Sequence, residues 1–209
     1  MKNYLKELAL DLILIGAIQF GRFKLKLHEK NPDAPLSPFY IDLRIVRSFP
    51  KVMAKIAQVM QDEILCDALK GKTDLLADIP TAATPIVAIL MYKSGIPMIT
   101  PKKDEKTHGI SSKIEGKFEP GQRALLIDDL ITKADSKLEA AKALKDNGLI
   151  VENILVLVDR EQGGAKTLKE AGYNLYSVFK ITELLDIYLE NGKINKQKYD
   201  EAISYIREN

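Results

Sequence analysis

Leu125-Leu126-Ile127-Asp128-Asp129-Leu130-Ile131-Thr132-Lys133-Ala134-Asp135-Ser136 is the stretch on which the fold turns. Its apolar opening does not alternate with polar residues, so the strand it predicts over residues 124–128 is buried on both faces. Residues 153–158, Asn153-Ile154-Leu155-Val156-Leu157-Val158, repeat the pattern. Strands of this kind belong to a mainly parallel sheet flanked by helices, an α/β fold. The segments that follow agree. Helical patterns run over residues 135–147 and 165–171, and Gly148 and Gly172 stand where a helix stop is expected.

The same alternation extends outward in both directions. Residues 74–79 and 97–99 read as strands around a helix over residues 84–93. A strand over 175–179 is followed by helices over 181–190 and 195–207, the second capped by Asn195. Pro50 opens a helix reaching about Ala68. Before it, residues 20–27 and 38–43 alternate like a β-ribbon around a Pro-containing connection over 28–36. Residues 2–15 form a helix with Leu5, Leu8, Leu12 and Ile15 on one face. The expectation is one domain over residues 1–209. A small N-terminal hood of helix and β-ribbon covers 1–45, and an α/β core covers 46–209. Residues 101–121 break the pattern, because they are polar with little apolar content. About 20 such residues inside a tight chain are either disordered or a functional lid.

Composition narrows the classes. A net charge of +2 points to neither a nucleic-acid polyanion nor an acidic membrane surface, so any positive site is local. The apolar runs at 12–18 and 85–92 fall short of the ~20 residues that span a bilayer, and the N-terminus reads as an amphipathic helix without a secretory pattern. Cys66 is the one cysteine, which rules out an intrachain disulfide framework and a cysteine-based metal cluster. In its apolar helical setting it reads as a small buried hydrophobe. All of this fits a reducing cytoplasm.

In parallel α/β sheets, ligands gather at the carboxyl ends of strands and the amino ends of the helices that follow. Asp128 and Asp129 bring two carboxylates there, able to accept from sugar hydroxyls. The turn over residues 132–136 leads into a helix whose free N–H groups and dipole favour an anion. Together these describe a sugar phosphate. Two other readings of the same residues stand beside it. In one, the acids merely end a strand and Asp135 caps a helix, with Glu139 nearby. In the other, the acids form a divalent-metal pair of the phosphoryl-transfer kind. On the acid pair alone, the structural reading is the stronger.

The wider pattern changes that balance. Residues 125–136 resemble the motif with which type I phosphoribosyltransferases bind 5-phosphoribosyl 1-pyrophosphate (PRPP): an apolar strand, an acid pair, two apolar residues and a small phosphate loop. Four further segments resemble orotate phosphoribosyltransferases in order, and particularly the first domain of bifunctional UMP synthases. They are Phe39-Tyr40-Ile41-Asp42-Leu43-Arg44, Pro101-Lys102-Lys103-Asp104-Glu105-Lys106-Thr107-His108-Gly109, Ile114-Glu115-Gly116 and Val158-Asp159-Arg160-Glu161-Gln162-Gly163-Gly164. The likeness runs from about Phe20 to the C-terminus.

This resemblance implies a type I phosphoribosyltransferase fold and transfer of 5-phosphoribosyl from PRPP to orotate, with Mg²⁺ carried mainly by PRPP rather than by a protein metal site. Asp128 and Asp129 would hold the ribose hydroxyls and Thr132, Lys133, Ala134, Asp135 and Ser136 the 5′-phosphate, with Leu130 and Ile131 between them also in the substrate-binding segment. Lys102, Lys103, Lys106 and His108 would serve the leaving pyrophosphate, with Lys103, Lys106, His108 and Asp129 the catalytic set. Arg160 would read the base, with Phe39, Tyr40 and Lys26 beside it. A homodimer in which the lid reaches the neighbouring site is also implied.

The chain departs from the family in three places. Lys102 stands where Arg is common, keeping the charge but not the bidentate fork. The loop over 80–85, matching the pyrophosphate-binding loop, has Thr81 and Ala82 where Tyr or Lys is frequent. The phosphate loop lacks the usual glycines, and Asp135 adds negative charge where a dianion belongs. Lys133 would offset that charge, or Asp135 would turn away as a helix cap. The alternatives are a phosphoribosyltransferase for another base, or a nucleotide-sensing regulatory protein on this fold.

Overall fold

The structure is a computed structural model that describes residues 2–29, 31–102 and 114–208. Helix α1 (Asn3–Leu14) buries Leu8, Ala9 and Leu12, as its spacing predicts. Strand β1 (Ile18–Phe23) pairs antiparallel with β2 (Ser37–Ile41), Ile18 opposite Ile41. The ribbon is shorter than the alternation suggests, and Lys26 lies in a 3-10 turn, Lys26–Glu29. The buried His28 explains the turn. Leu25 N donates to its Nδ1 at 2.9 Å, leaving Nε2 to donate to Ala34 O at 3.1 Å, which folds the connection onto itself.

A 3-10 turn, Leu43–Ser48, leads to α2 (Pro50–Met60), with Pro50 in its first turn. The expected helix does continue to Ala68, but as wider π-type turns over Gln61–Ala68 that bury Ile64 and Leu65. Widening the helix changes which residues face inward. Cys66 is therefore exposed rather than buried, a correction to its sequence reading.

The main sheet follows in parallel crossovers: β3 (Leu75–Asp78), α3 (Thr84–Ser94), β4 (Met98–Pro101), β5 (Ile114–Glu115), β6 (Ala124–Ile131), α4 (Asp135–Asp146), β7 (Asn153–Asp159), α5 (Gly164–Glu170) and β8 (Asn174–Lys180). Helices α6 (Ile181–Glu190) and α7 (Lys196–Glu208) close the chain, and Asn195 Oδ1 accepts from Lys198 N at 2.9 Å as the expected cap. The six strands lie in the order β5-β4-β3-β6-β7-β8. All neighbours are parallel except β5, which runs against β4. Part of the polar stretch expected to be a lid is thus a sheet edge. Its residues 103–113 lie outside the described residues.

Strand pleating divides the core into two layers. Leu76, Leu125, Ile127, Leu155 and Leu157 face a cluster that also holds residues of α1, α2, α3, α6 and α7. Leu75, Ala77, Ala124, Leu126, Ile154 and Val156 face the opposite cluster, with Ala141 and Leu144 of α4 and Leu168 of α5. Among the described residues no helix is long and apolar enough to cross a membrane. The chain order reverses between β3 and β6, and at such a reversal the carboxyl edge of a parallel sheet opens a crevice for a ligand.

Candidate active site at the carboxyl edge of the sheet

Strand β6 carries the acid pair. It runs three residues past the predicted end because Leu130 and Ile131 pair with Val158 and Asp159 of β7. Asp128 and Asp129 therefore stand inside the strand, with their carboxyls close enough to interact. Asp128 is buried and ion-paired with Lys137 Nζ at 2.6 Å, both side chains under a tenth exposed. Its other oxygen accepts from Asp129 N at 2.8 Å. Asp129 is half-buried, and its Oδ1 accepts from Leu130 N at 2.8 Å. Burial first, then the charge of Asp128, pushes the Asp129 carboxyl up to about 7.

Residues 132–134 turn the chain into α4. Ala134 is buried with φ −87° and ψ −3°, a right-handed conformation, so the backbone here does not require the glycine it lacks. Asp135 does not cap the helix. It is the first helical residue, exposed, and the cap position belongs to Ala134, whose side chain makes no cap bond. A carboxylate there still suits the helix dipole. Lys133 is exposed, and Thr132 and Ser136 are half-buried.

The turn after β7 is bonded directly onto this segment. Arg160 N donates to Ile131 O at 3.0 Å and Gly164 N to Thr132 O at 3.1 Å. A Cβ on Gly164 would lie 2.6 Å from Ile131 Cγ1 and 2.9 Å from Thr132 O, so only glycine permits this approach. Glu161 takes φ 54°, its N–H donates to Asp159 Oδ1 at 2.8 Å, and its own carboxylate accepts from Thr182 N at 3.1 Å. Both neighbouring acids are thus engaged on backbone, and neither pairs with Arg160 among the described residues. Arg160 is 6% exposed, and its Nε and Nη2 have no hydrogen-bond partner among the described residues. The guanidinium lies 5.1 Å from the centre of the Phe39 ring. Burial lowers its pKa.

The hood supplies the facing wall. Phe39 is fully buried on β2, and Tyr40 stacks on Phe23 with centroids 5.6 Å apart. Arg44 Nη2 donates to Tyr40 Oη at 3.1 Å. At the end of β3, buried Asp78 accepts from the hydroxyls of Thr84 and Thr100. The Pro80–Thr81 peptide is cis, and Arg47 Nη2 donates to Thr81 O at 3.1 Å. Lys102 is exposed and paired with Glu115 at 3.1 Å. Lys103, Lys106 and His108 lie outside the described residues.

Sequence reasoning passed over Asp78, Arg47, Gln162 and Lys137. Gln162 is buried with its Oε1 unpartnered among the described residues. One signal was available for Lys137. Lys137, Ala141 and Leu144 form the buried stripe of α4, so helical spacing puts a lysine at the head of a core-facing row.

No family model matches the chain. An orotate phosphoribosyltransferase from Caenorhabditis elegans is 30% identical over 94% of this chain and 83% of its own length. Among solved structures, UMP synthase from Leishmania donovani superposes with a TM-score of 0.84 at 31% identity, covering 97% of this chain but 42% of that longer one. Orotate phosphoribosyltransferase from Aeropyrum pernix gives 0.75 at 26% identity, covering 90% of this chain and 99% of its own. The fold, the acid-bearing strand and the turn after β7 are thus found together with whole-length likeness: the chain belongs to the orotate phosphoribosyltransferase family.

Proposed function

We propose that this chain joins N1 of orotate to C1 of PRPP, releasing pyrophosphate and giving orotidine 5′-phosphate for pyrimidine nucleotide synthesis. The observation that carries the site assignment is the buried guanidinium of Arg160, whose Nε and Nη2 have no hydrogen-bond partner among the described residues and whose backbone is tied to the acid-pair strand. A planar carboxylate is the natural partner for such a group, and orotate has one beside the reacting nitrogen. Phe39 supports the guanidinium from the hood side, with Tyr40 and Lys26 on neighbouring hood segments.

Cleavage of the C1–O bond to pyrophosphate runs ahead of N1–C1 bond formation, positive charge builds on the ribose ring between the two events, and the proton lost from N1 is taken up by the departing pyrophosphate. The acid pair at the ribose opposes that charge, while residues 132–136 at the start of α4 hold the 5′-phosphate with first-turn N–H groups. Holding base and sugar in line contributes the rest. Asp128 has both oxygens engaged, so Mg²⁺ would arrive bound to PRPP rather than to Asp128, and it would supply charge neutralisation to the leaving group. Lys102, Lys103, Lys106 and His108 would form a lid over residues 101–121 that closes on the pyrophosphate of a neighbouring subunit in a homodimer. Hood and core act as one unit over residues 1–209, in the cytoplasm.

The purified chain with PRPP, orotate and Mg²⁺ is expected to form orotidine 5′-phosphate, and uracil or a purine in place of orotate is expected to react poorly. Arg160→Met is expected to raise the orotate KM about 100-fold while leaving the PRPP KM within about twofold. Absence of product from the unaltered chain would sink the reading.

A further inference from the structure

The acid pair of β6 is unequal. Asp128 gives one oxygen to Asp129 N and the other to Lys137 Nζ, and is 6% exposed. Asp129 gives one oxygen to Leu130 N and is the more open of the two. Lys137 is as buried as its partner. Its ammonium also donates to Leu130 O at 2.6 Å and lies 3.5 Å from Ser136 Oγ, so its three donors are used within one turn of the acid pair. A buried ammonium would be costly anywhere that did not satisfy it this fully. Its position near the start of α4 opposes the helix dipole, so helix stability does not explain it.

We infer that Lys137 is a positioning residue that makes Asp128 a fixed, spent anion and leaves Asp129 as the acid that meets the ribose. The inference rests on the phosphoribosyl reading of the site, and it divides between the two acids a role otherwise shared. Lys137 binds Asp128 on one side and the carbonyl of Leu130 on the other, so it clamps the strand on both sides of Asp129. It also brings a positive charge to 3.5 Å from Ser136 Oγ, at the end of the turn over residues 132–136.

The charges around Asp129 are few. On its own strand is Asp128, and from α4 comes Lys137, which favours the ionised form of Asp129. From β3 comes Asp78, turned to Thr84 and Thr100, and from β7 and its turn come Asp159, Arg160 and Glu161, whose carboxylates serve backbone N–H groups. Lys133 and Asp135 are exposed on the loop. Of these, Lys137 is the cation that acts on the pair, and its removal has a defined sign: the carboxyl of Asp129 ionises at higher pH.

The test compares the unaltered protein with Lys137→Gln, Lys137→Arg and the double variant Asp128→Asn/Lys137→Gln, following the Asp129 carboxyl by carbon-13 NMR across pH and kcat/KM for PRPP over the same range. Lys137→Gln is expected to move both the carboxyl titration and the acid limb of the rate upward by about one pH unit or more. Lys137→Arg should hold both near their original values. The double variant, which removes both charges, should regain the thermal stability that Lys137→Gln loses. A Lys137→Gln protein that loses activity with the Asp129 titration unmoved would reduce Lys137 to a structural role and overturn the inference. So would a double variant no more stable than Lys137→Gln, or one in which neither protein folds. The NMR titration needs no turnover, so it judges Lys137 even if the unaltered chain makes no orotidine 5′-phosphate.

Discussion

Strands β3 and β6 lie side by side and carry carboxylates near both ends, and the two ends treat them in opposite ways. At the amino end, Asp74 is gripped by Arg123: Nε donates to Oδ2 at 2.9 Å, Nη2 to Oδ1 at 2.8 Å and the backbone N–H to Oδ2 at 2.8 Å. Both side chains remain in water, and the guanidinium beside Asp74 holds its carboxyl down to about 2. At the carboxyl end, Asp129 is shielded from water beside a second carboxylate and is pushed up to about 7. The chemistry of the group is the same. Solvent access and the sign of the nearest charge separate a clasp from the proposed ribose site.

The contrast implies effects of substitution that diminish from the carboxyl end of the sheet to the amino end. Asp129→Asn should lower kcat/KM for PRPP by about 100- to 1000-fold, read by steady-state kinetics, since it removes charge aimed at the developing cation. It should also change stability with pH in a particular way. A raised carboxyl favours the folded state most below its unfolded value of about 3.9, and that contribution falls away as pH rises through about 7. The variant should therefore lose less stability between about pH 4 and pH 7 than the unaltered protein in chemical denaturation. An identical pH dependence would show that Asp129 is not perturbed.

Next in size is Gly164→Ala. Its methyl would meet Ile131 and the carbonyl of Thr132, so the turn must part from the phosphate loop at a cost of about 1–3 kcal/mol. Activity should fall through the KM values of both substrates, because one contact joins the base side to the phosphate side. Ordinary kinetics with near-normal stability would refute that coupling.

Arg123→Ala should have the smallest effect. It should leave kcat unchanged and lower Tm by no more than about 2–4 °C, as suits an exposed pair. The sign with pH is opposite to that at Asp129. The depressed carboxyl of Asp74 stabilises the fold above about pH 4, and that contribution is lost as pH falls toward about 2. Removing Arg123 should flatten the curve there and nowhere else. A loss of kcat would mean that the two ends are not independent.

Much of this was legible in the chain itself. Residues 125–127 and 154–158, apolar without alternation, required a parallel sheet covered on both faces, and Gly148 and Gly172 closed their helices because few other residues take a left-handed conformation cheaply. The acid pair and Arg160 were placed at the ligand edge by connectivity alone, since they follow buried strands. Local reading failed where the deciding interaction was not local. Cys66 was misplaced because a helix widened to π-type turns, and β6 ran on through Ile131 because β7 offered it partners. Asp135 proved to be the first residue of its helix rather than its cap.

What the sequence determined by itself is the layering, the strand that holds the acids and the family, all carried by periodicity and motifs over short windows. What only the tertiary structure decided is the state of each charge. Lys137 meets Asp128 from the next element, the Arg160 guanidinium lies over Phe39 with Nε and Nη2 unpartnered among the described residues, and Arg123 closes on Asp74 from 49 residues away. The physical reason is that a charge is set by its nearest neighbours and by how much water they exclude. In a parallel sheet those neighbours come from strands and helices far apart in the chain.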